Sequence, residues 1–398
     1  MKMQLSKTET SEGRGRAKRS ASVDLTAAEL FSGEPRGCPA IRLCRRKEAW
    51  AVQAVGFVSP PEGELPTRWE DMPHQPRWEL PPEFQSPHAA LVVNSPLAAF
   101  AQATADAIAQ DMARGLPAEM ESRTSVQSKR RIGLRRPEAA KKQEPPASAR
   151  KADLPLPEPG APVSANGMRF AARPAAEQGF HLEASLPEFQ ALWLARLLPE
   201  GKRPTASSIQ LHDAALMASV LAQPDFLEAK GSALAVFVGE HDIHFAGYKA
   251  GEPVLWRQCP GSGGATAMRL AVKHGLGVED ELVDSVLNDT LIDPRGALEP
   301  FLHPVFDELE LARAYLADRH AVRPPRILLM GLTAGASYWC DCARAAFRME
   351  LAAPDVFAGV ALPAKMSSDG GADLLTGPDA VLFLPALGAA LAAAEVET

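Results

Sequence analysis

Residues 236–264 read VFVGEHDIHFAGYKAGEPVLWRQCPGSGG, a series of strand patterns followed by a glycine-rich loop. Apolar or alternating runs at 231–239, 243–249 and 253–258 predict three successive strands. An Ala-Gly dipeptide separates the last two runs and predicts a tight hairpin turn. This part of the chain therefore predicts a strand and a hairpin that belong to one sheet.

The glycine-rich loop at 260–264 leads into an amphipathic helix at 266–274. Glycines let the backbone approach an anion, and a helix N-terminus supplies free N–H groups and the positive end of the helix dipole. Glycine-rich turns also precede helices for purely steric reasons. Both interpretations stay open for Gly263 and Gly264: a phosphate site or a tight turn.

The rest of the chain repeats this alternation of strands and helices. Further strands, hairpins and helices are predicted at 23–31, 40–45 with 49–58, 89–93, 97–112 (helix), 180–184, 188–198 (helix), 326–330 and 385–394 (helix). Both halves of the chain have a hairpin near their start. The pattern predicts an α/β architecture with mixed sheets.

Composition sets the broad class. The chain has 398 residues, of which 46% are hydrophobic, so it can bury a core large enough for two lobes. The net charge of −7 gives no support for a nucleic-acid partner. Five cysteines without a Cys-x-x-Cys spacing predict reduced thiols. Residues 1–20 lack the apolar core of a secretory signal, and we expect a cytoplasmic protein.

The clearest break in the pattern is the proline-rich segment 115–178, for which composition predicts disorder. Its basic residues concentrate within 123–151, where lysines and arginines far outnumber acidic residues. This basic segment is either a solvated insertion or a contact for anionic lipid or an acidic partner.

Signature motifs of several enzyme classes are missing from the sequence, including the P-loop, the dinucleotide-binding glycine motif, the zinc-protease helix and the nucleophile elbow. His241 and His244 have a spacing that occurs in metal sites. However, His244 falls on a predicted strand, where residues three apart point to opposite faces. We therefore predict no metal site and no catalytic residue.

The stretch 236–264 resembles the second lobe of actin-like ATPases, and is most similar to PilM-like proteins of type IV pilus and type II secretion assembly. The order of features carries the resemblance: a strand ending at Gly239, a hairpin with a Lys-x-Gly turn, an Arg-x-x-Pro strand end and a Gly-Gly loop. Residues 326–331 with Gly335 resemble the adenosine-side strand and turn. Residues 23–26 resemble the first phosphate strand, and 387–391 the closing helix.

The resemblance implies a two-lobed actin-like (ribonuclease H-like) fold with mixed sheets flanked by helices. It divides the chain into a tail (1–20), a first lobe (21–114 and 179–230) interrupted by the insertion 115–178, and a second lobe (231–360). A C-terminal segment, 361–398, carries the closing helix, which is expected to pack on the first lobe.

Departures from the family pattern concern the nucleotide. After Asp24 no glycine follows, and Phe237 stands where the second phosphate strand of the family has aspartate. Gly331 is followed by Leu332 instead of a second glycine. Because phosphoryl transfer needs a positioned Mg²⁺ and water, these changes predict a pseudo-ATPase. A residual site for ATP with Mg²⁺ is predicted at Gly263, Gly264 and Gly331.

What the resemblance implies about function is a scaffold at the cytoplasmic face of the inner membrane. Such a protein docks the short cytoplasmic tail of a PilN-like bitopic partner and links it to an assembly ATPase motor. The alternative is an active ATPase or a sugar-kinase-type enzyme of the same superfamily. In that case Asp242, three residues after Gly239, would supply the missing carboxylate.

Overall fold

A computed structural model describes the parts of the chain on which all structural statements below rest. The described residues are 23–46, 49–71, 78–104, 163–165, 168–174, 180–198, 205–288, 292–324, 326–362 and 371–396.

The strands are, in chain order, β1 (Asp24–Leu30), β2 (Cys38–Arg46), β3 (Ala49–Val58), β4 (His88–Val93), β5 (Ala99–Thr104), β6 (Val163–Ala165), β7 (Met168–Pro174), β8 (Phe180–Pro187), β9 (Thr205–Leu211), β10 (Ala233–Val238), β11 (Ile243–Lys249), β12 (Glu252–Gln258), β13 (Ile327–Met330) and β14 (Leu351–Ala352). The helices are α1 (Glu188–Leu197), α2 (His212–Ser219), α3 (Pro224–Glu228), α4 (Gly264–Leu276), α5 (Asp280–Asn288), α6 (Arg295–His320), α7 (Ala336–Phe347), α8 (Gly371–Thr376) and α9 (Leu384–Val396). Short 3₁₀ turns cover Trp69–Asp71, Pro82–Phe84, Val220–Ala222 and Pro378–Phe383.

Two five-stranded sheets have the same topology. The first-lobe sheet has the order β3-β2-β1-β4-β9, and the second-lobe sheet has the order β12-β11-β10-β13-β14. In each sheet the first three strands form an antiparallel meander, and the central strand also pairs in parallel with a later one. The α/β class with two mixed sheets flanked by helices is thus confirmed.

The central strands are apolar because they are covered on both faces. β10 is buried at every position, and β1 is buried at all positions after its first residue. A strand of this kind reads as a continuous apolar run instead of an alternating one. This is why the two runs could be located in the sequence.

The apolar helix α9 covers one face of the first-lobe sheet, where it packs on β1, β4 and α2. Gly388 makes the close approach to α2 feasible, because a Cβ there would lie 2.6 Å from the backbone nitrogen of Ser219. The alanines and leucines of α9 are buried from Leu384 to Leu391. Within the described residues, no helix has both the length and the apolar character needed to cross a bilayer.

The second-lobe sheet uses its two faces differently. Leu234, Val236 and Val238 of β10 pack in the core of the second lobe with α4, α6 and α7. Ala233, Ala235 and Phe237 face the opposite way, into a hydrophobic core that is continuous with that of the first lobe. The lobes therefore share an apolar interface instead of meeting through a hinge alone.

A third, antiparallel sheet with the order β5-β8-β7-β6 differs from what the sequence predicts. The range 97–112 was predicted as a helix, but its described part contains the strand β5, which pairs with β8. Alanine-rich sequence suits a helix, and cross-strand pairing overrides that preference here. The strands β6 and β7 lie inside 115–178, contrary to the predicted disorder; 105–162 and the tail 1–20 lie outside the described residues.

Candidate functional site between the two lobes

The candidate site is the junction of the two lobes at the carboxyl ends of β1 and β10, which is called the cleft below. Glu29, near the end of β1, contacts His212 at the N-terminus of α2, and the turn after β10 accepts hydrogen bonds from the first turn of α4. In α/β sheets, the carboxyl ends of the strands are where ligands bind.

Asp24 is not in the cleft. It lies at the start of β1 and forms an ion pair with Arg42, with 2.6 Å between Oδ2 and Nη2. The strand has seven residues and rises about 3.3 Å per residue, so Asp24 is about 20 Å from the turn. The assignment of residues 23–26 to the first phosphate loop is therefore wrong, and the sequence at that turn is Glu29-Leu30-Phe31-Ser32.

The first residue of the turn after β1 is a phenylalanine in a left-handed conformation, and Gly33 follows it with a φ of 79°. Phe31 has a φ of 61°, a conformation that favours glycine, and its ring packs against Trp193 at 5.7 Å between centroids. Arg36 holds the other end of the turn through ion pairs with Glu34 and Asp379. The turn is thus formed and fixed by protein contacts.

Glu29, which is buried, and His212, which is half-buried, form an acid–histidine pair in the first lobe. Glu29 Oε1 lies 2.7 Å from His212 Nδ1, and the glutamate is only 4% exposed. Burial by itself would lower the pKa of His212, but the charge and hydrogen bond of Glu29 outweigh it. With Asp213 and Asp242, they raise the pKa of His212 to about 9. The imidazole is therefore protonated at neutral pH.

Asp213 follows His212 at the start of α2. Burial raises the pKa of Asp213, and the charges of His244 and His212 oppose this shift. His244 belongs to the second lobe, so the electrostatic environment of Asp213 includes groups on both sides of the cleft. The sequence did not predict a site at Glu29, His212 and Asp213. These residues are brought together only by folding, and no local sequence pattern marks them.

An aromatic cluster fills the second-lobe side of the cleft. Phe237 is the penultimate residue of β10, as Glu29 is of β1, and it is 1% exposed. Its ring lies 6.2 Å from Trp256, which stacks on His244 at 4.7 Å. Phe100 of β5 contacts the same tryptophan edge-on at 5.5 Å. Side chains from both lobes therefore occupy the space beside the predicted carboxylate position.

The N-terminus of α4 is already occupied by backbone hydrogen bonds. The amide of Ala265 donates to the carbonyl of Gly239 and that of Thr266 to the carbonyl of Glu240, both at 2.9 Å. Gly263 is the N-cap with a φ of 64°, and a Cβ on Gly264 would overlap the backbone of Glu240. A phosphate at this end of α4 would have to compete with the turn after β10 for these two amides.

Gly331 packs against the same turn. A Cβ there would lie 2.5 Å from the carbonyl oxygen of Val238, and its φ is 90°. The structure thus brings Gly264 and Gly331 together around the turn after β10, and packing accounts for both glycines. Nucleotide binding at Gly263, Gly264 and Gly331 stays a prediction.

Arg269 bridges α5, the turn after β10 and the loop after β13. It forms ion pairs with Glu240 at 3.1 Å and with Asp284 of α5 at 3.0 Å, and its Nη2 reaches Thr333 Oγ1 at 3.4 Å. Burial would raise the pKa of Glu240, but hydrogen bonds from Thr266 and Arg269 outweigh it and lower that pKa. The network joins α4, α5 and the loop after β13 without any ligand.

The two histidines of the predicted turn do not converge. His241 is exposed beside Thr266, whereas His244 is buried on Trp256. In the described part of the chain, no group of three or more His, Cys, Asp or Glu side chains is arranged to hold a metal ion.

Comparisons with known proteins give similarities in structure alone. No protein-family model matches the sequence, and no curated protein is significantly similar to it. The structure of the PilM-PilN type IV pilus biogenesis complex aligns with 93% of this chain and 98% of its own, at 14% identity and a TM-score of 0.49.

Two further solved structures are similar. A Bacteroides thetaiotaomicron protein with an actin-like ATPase fold and unknown function aligns with 82% of this chain and 90% of its own, at 8% identity and a TM-score of 0.36. The archaeal actin homologue Ta0583 aligns with 53% of this chain and 66% of its own, at 15% identity and a TM-score of 0.31. In this chain each of the two five-stranded sheets has an antiparallel meander and a parallel extension, and in structure the chain is similar to the PilM-PilN complex and to proteins with an actin-like fold.

Proposed function

We propose that this chain is a cytoplasmic scaffold of a type IV pilus-like assembly machine, and that it does not hydrolyse ATP. The observation that carries the second part is Phe237. It is buried against Trp256 at the position where the resemblance expects a carboxylate. A benzyl ring cannot coordinate Mg²⁺ or orient water, and both are needed for phosphoryl transfer.

Two other contacts support a cleft that works without nucleotide. The first amides of α4 donate to the turn after β10, and Arg269 crosses the adenosine-side turn to Thr333. Each replaces, with a protein group, an interaction that a phosphate or a nucleoside would make in an active member. Contacts within the protein then stabilise the arrangement of α4 and of the turns around the cleft.

The resemblance and the hydrophobic core that the lobes share support the scaffold role. PilN is the partner of PilM in the similar complex. For this chain we propose a partner of the same kind, a bitopic inner-membrane protein whose short cytoplasmic tail binds as an extended peptide in a groove. Contact with an assembly ATPase motor belongs to the same proposal.

Placement at the inner membrane is proposed from the basic segment 123–151. Each lysine or arginine near an anionic surface contributes about 1 kcal/mol of attraction at physiological salt. Co-sedimentation with vesicles containing anionic lipid tests this contact. We expect binding that falls with salt and is lost on deletion of 123–151. Equal sedimentation of the deletion variant would contradict it.

The experiment on function has two separate readouts. The purified chain with ATP and Mg²⁺ should release phosphate no faster than the buffer blank. The same preparation should bind a peptide with the sequence of the partner's cytoplasmic tail, and a scrambled peptide is the control. Turnover would reject the pseudo-ATPase, whereas failure to bind the tail would reject the scaffold role.

An active enzyme is the second candidate, and one observation favours it. Glu29 and Asp242 place carboxylates at the turns of both lobes, near the mouth of the cleft. If they hold the metal and the water, phosphate release should be measurable and should disappear in Glu29→Gln or Asp242→Ala. Asp24→Ala is the matched control, because Asp24 pairs with Arg42 at the far end of β1.

A further inference from the structure

An aromatic bridge of three side chains joins the lobes near the carboxyl end of β10. Phe100 comes from β5 of the third sheet, whose strand β8 leads through α1 into the first-lobe sheet. Trp256 comes from β12 at the edge of the second-lobe sheet, and its ring meets that of Phe100 edge-on at 5.5 Å between centroids. Phe237 packs against Trp256 from the second lobe, and all three side chains are buried. Separation of the lobes at this place would expose Phe100 and Trp256 to water.

A second contact joins the lobes at the other end of the same sheet. Tyr248 of β11 is the cross-strand neighbour of Ala233, the first residue of β10. Its hydroxyl donates a hydrogen bond to the carbonyl of Met217 in α2 at 2.8 Å, and its ring meets that of Phe226 in α3 edge-on. Phe237 lies four residues further along β10, which is about 13 Å at the usual rise of a strand. The two contacts are therefore separated by most of the length of β10.

The chain segments that pass between the lobes are packed against each other. Gln223, where the chain leaves the first lobe, is completely buried, and its Nε2 donates to the carbonyl of Val356 at 3.2 Å. Val356 begins the segment that returns to the first lobe, and further along it a Cβ on Gly359 would overlap the carbonyl oxygen of Ala222. The same segment then forms two backbone hydrogen bonds with β3 through Ala361, at 2.8 and 3.0 Å. Both passages are thus held by protein groups on either side.

We propose that these contacts form a conformational lock that keeps the two lobes permanently closed on each other. Opening of a two-lobed protein requires a few residues between the lobes to change φ and ψ. In this chain those residues are packed side by side, so such a change would break the contacts of Gln223 and Gly359. The aromatic bridge and the Tyr248 hydrogen bond resist rotation at opposite ends of β10. The lock therefore acts at three separate places.

The lock consists of groups of the chain itself. Hinged proteins commonly close around a ligand, and the ligand then holds the lobes together. Here the closing groups are side chains and backbone, so closure is independent of any ligand. A partner would meet a surface of constant shape and would not have to offset the cost of ordering the lobes. The inference stands apart from the proposed partner, because a chain that fails to bind a tail peptide can still be locked.

The first test measures the distance between the lobes by pulsed electron paramagnetic resonance in the full chain. Spin labels are attached at Gln53→Cys in β3 and at His274→Cys in α4, which are exposed positions on different lobes. The half-buried thiols are removed by Cys340→Ala and Cys342→Ala. We expect one narrow distance distribution that stays the same when ATP and Mg²⁺ are added. A broad or two-peaked distribution, or a shift of several ångströms with ATP, would overturn the lock.

The second test removes the aromatic bridge in the same labelled chain. Phe100→Ala should broaden the distribution and add a component several ångströms longer, with the circular dichroism of the folded chain retained. Trp256→Phe keeps an apolar ring at the bridge and should give a smaller change of the same kind. Phe301→Ala is the matched control and should leave the distances unchanged, because Phe301 makes a similar edge-on contact with Trp339 inside the second lobe. Native distances in both bridge variants would overturn the proposal.

Discussion

At the scale of single residues, the turn between β11 and β12 is held in a costly conformation. Ala250 and Gly251 have φ values of 51° and 85°, so both central residues are left-handed, as a two-residue hairpin turn requires. Ala250 is exposed and has no glycine-like freedom to adopt this conformation. The strain is local and can be relieved without a change in packing.

Ala250→Asn should therefore stabilise the protein by about 0.5–1 kcal/mol, because asparagine tolerates the left-handed region. Chemical unfolding at equilibrium measures the difference. Ala250→Val is the matched control and should destabilise, since a β-branched residue is strained at positive φ. A loss of stability in Ala250→Asn would show that the turn geometry is wrong.

Gly264 and Gly277 separate the cost of conformation from the cost of crowding. Both have positive φ, 55° and 66°, but a Cβ on Gly277 meets open space, whereas one on Gly264 overlaps the turn after β10. We expect Gly277→Ala to cost about 1 kcal/mol and Gly264→Ala about 3 kcal/mol or more, from thermal unfolding. Equal effects would mean that α4 does not pack on that turn.

The role of a residue could be predicted from sequence only where its neighbours along the chain mark the position. Phe237 was singled out because the resemblance places it where the family has aspartate, and the structure shows that it is buried. Asp24 was assigned to the phosphate turn, but it lies at the start of β1. The sequence around an aspartate beside an apolar run does not show which end of the strand faces the site. Glu29 and His212 carry no local signal, since only folding brings β1 and α2 together.

At the scale of elements, the contact between α9 and α2 depends on a single glycine. Gly388 faces the backbone of Ala215 and Ser219 in α2, whereas a Cβ on Gly296 in α6 would meet nothing within 4 Å. The helices α9 and α2 cannot separate without exposing the alanines and leucines of α9. Gly296, by contrast, has space for a side chain.

Gly388→Ala should destabilise by roughly 2–4 kcal/mol, because overpacking shifts α9 from the first-lobe sheet. Gly296→Ala should be neutral or stabilise by about 0.5 kcal/mol through helix propensity. Circular dichroism during thermal unfolding measures both. If the two variants have the same midpoint, the close packing of α9 on α2 is not present in solution.

Elements were predictable where periodicity and turns agree, as in the three strands β10, β11 and β12 with the helix after them. The third sheet could not be foreseen in the same way. The strand β5 has an alanine-rich sequence that favours a helix, and its strand state depends on pairing with β8, far away in the chain. Local preference carries no information about that partner.

At the scale of the whole molecule, the Glu29–His212 pair should make stability depend on pH. The folded-state pKa of His212 is raised to about 9 from an ordinary 6.5, so its contribution is complete below pH 6.5 and is lost as pH rises through about 9. The shift corresponds to a contribution on the order of 3 kcal/mol.

The unfolding midpoint of the native chain should therefore fall between pH 6.5 and pH 9. The same measurement on His212→Gln should give a lower and flatter profile, with His274→Gln as the control that retains the native slope. A native profile as flat as that of His212→Gln would exclude the pair as a source of stability.

The two lobes could be predicted from their repeated strand and hairpin signals, which both sheets confirm. The shared core between them could not, because Ala233, Ala235 and Phe237 read simply as part of a buried strand. Sequence shows that both faces of β10 are covered, but not that one face is covered by another lobe.

The route of the chain through the first-lobe sheet has a consequence for biosynthesis. β1 leaves the ribosome well before β9, which joins the same sheet, and α9, which covers that sheet, emerges after all the strands of the second-lobe sheet. The strands β10 to β14 are contiguous and can assemble as soon as they emerge. The first-lobe sheet is therefore left with an apolar strand exposed until the second-lobe sheet has folded.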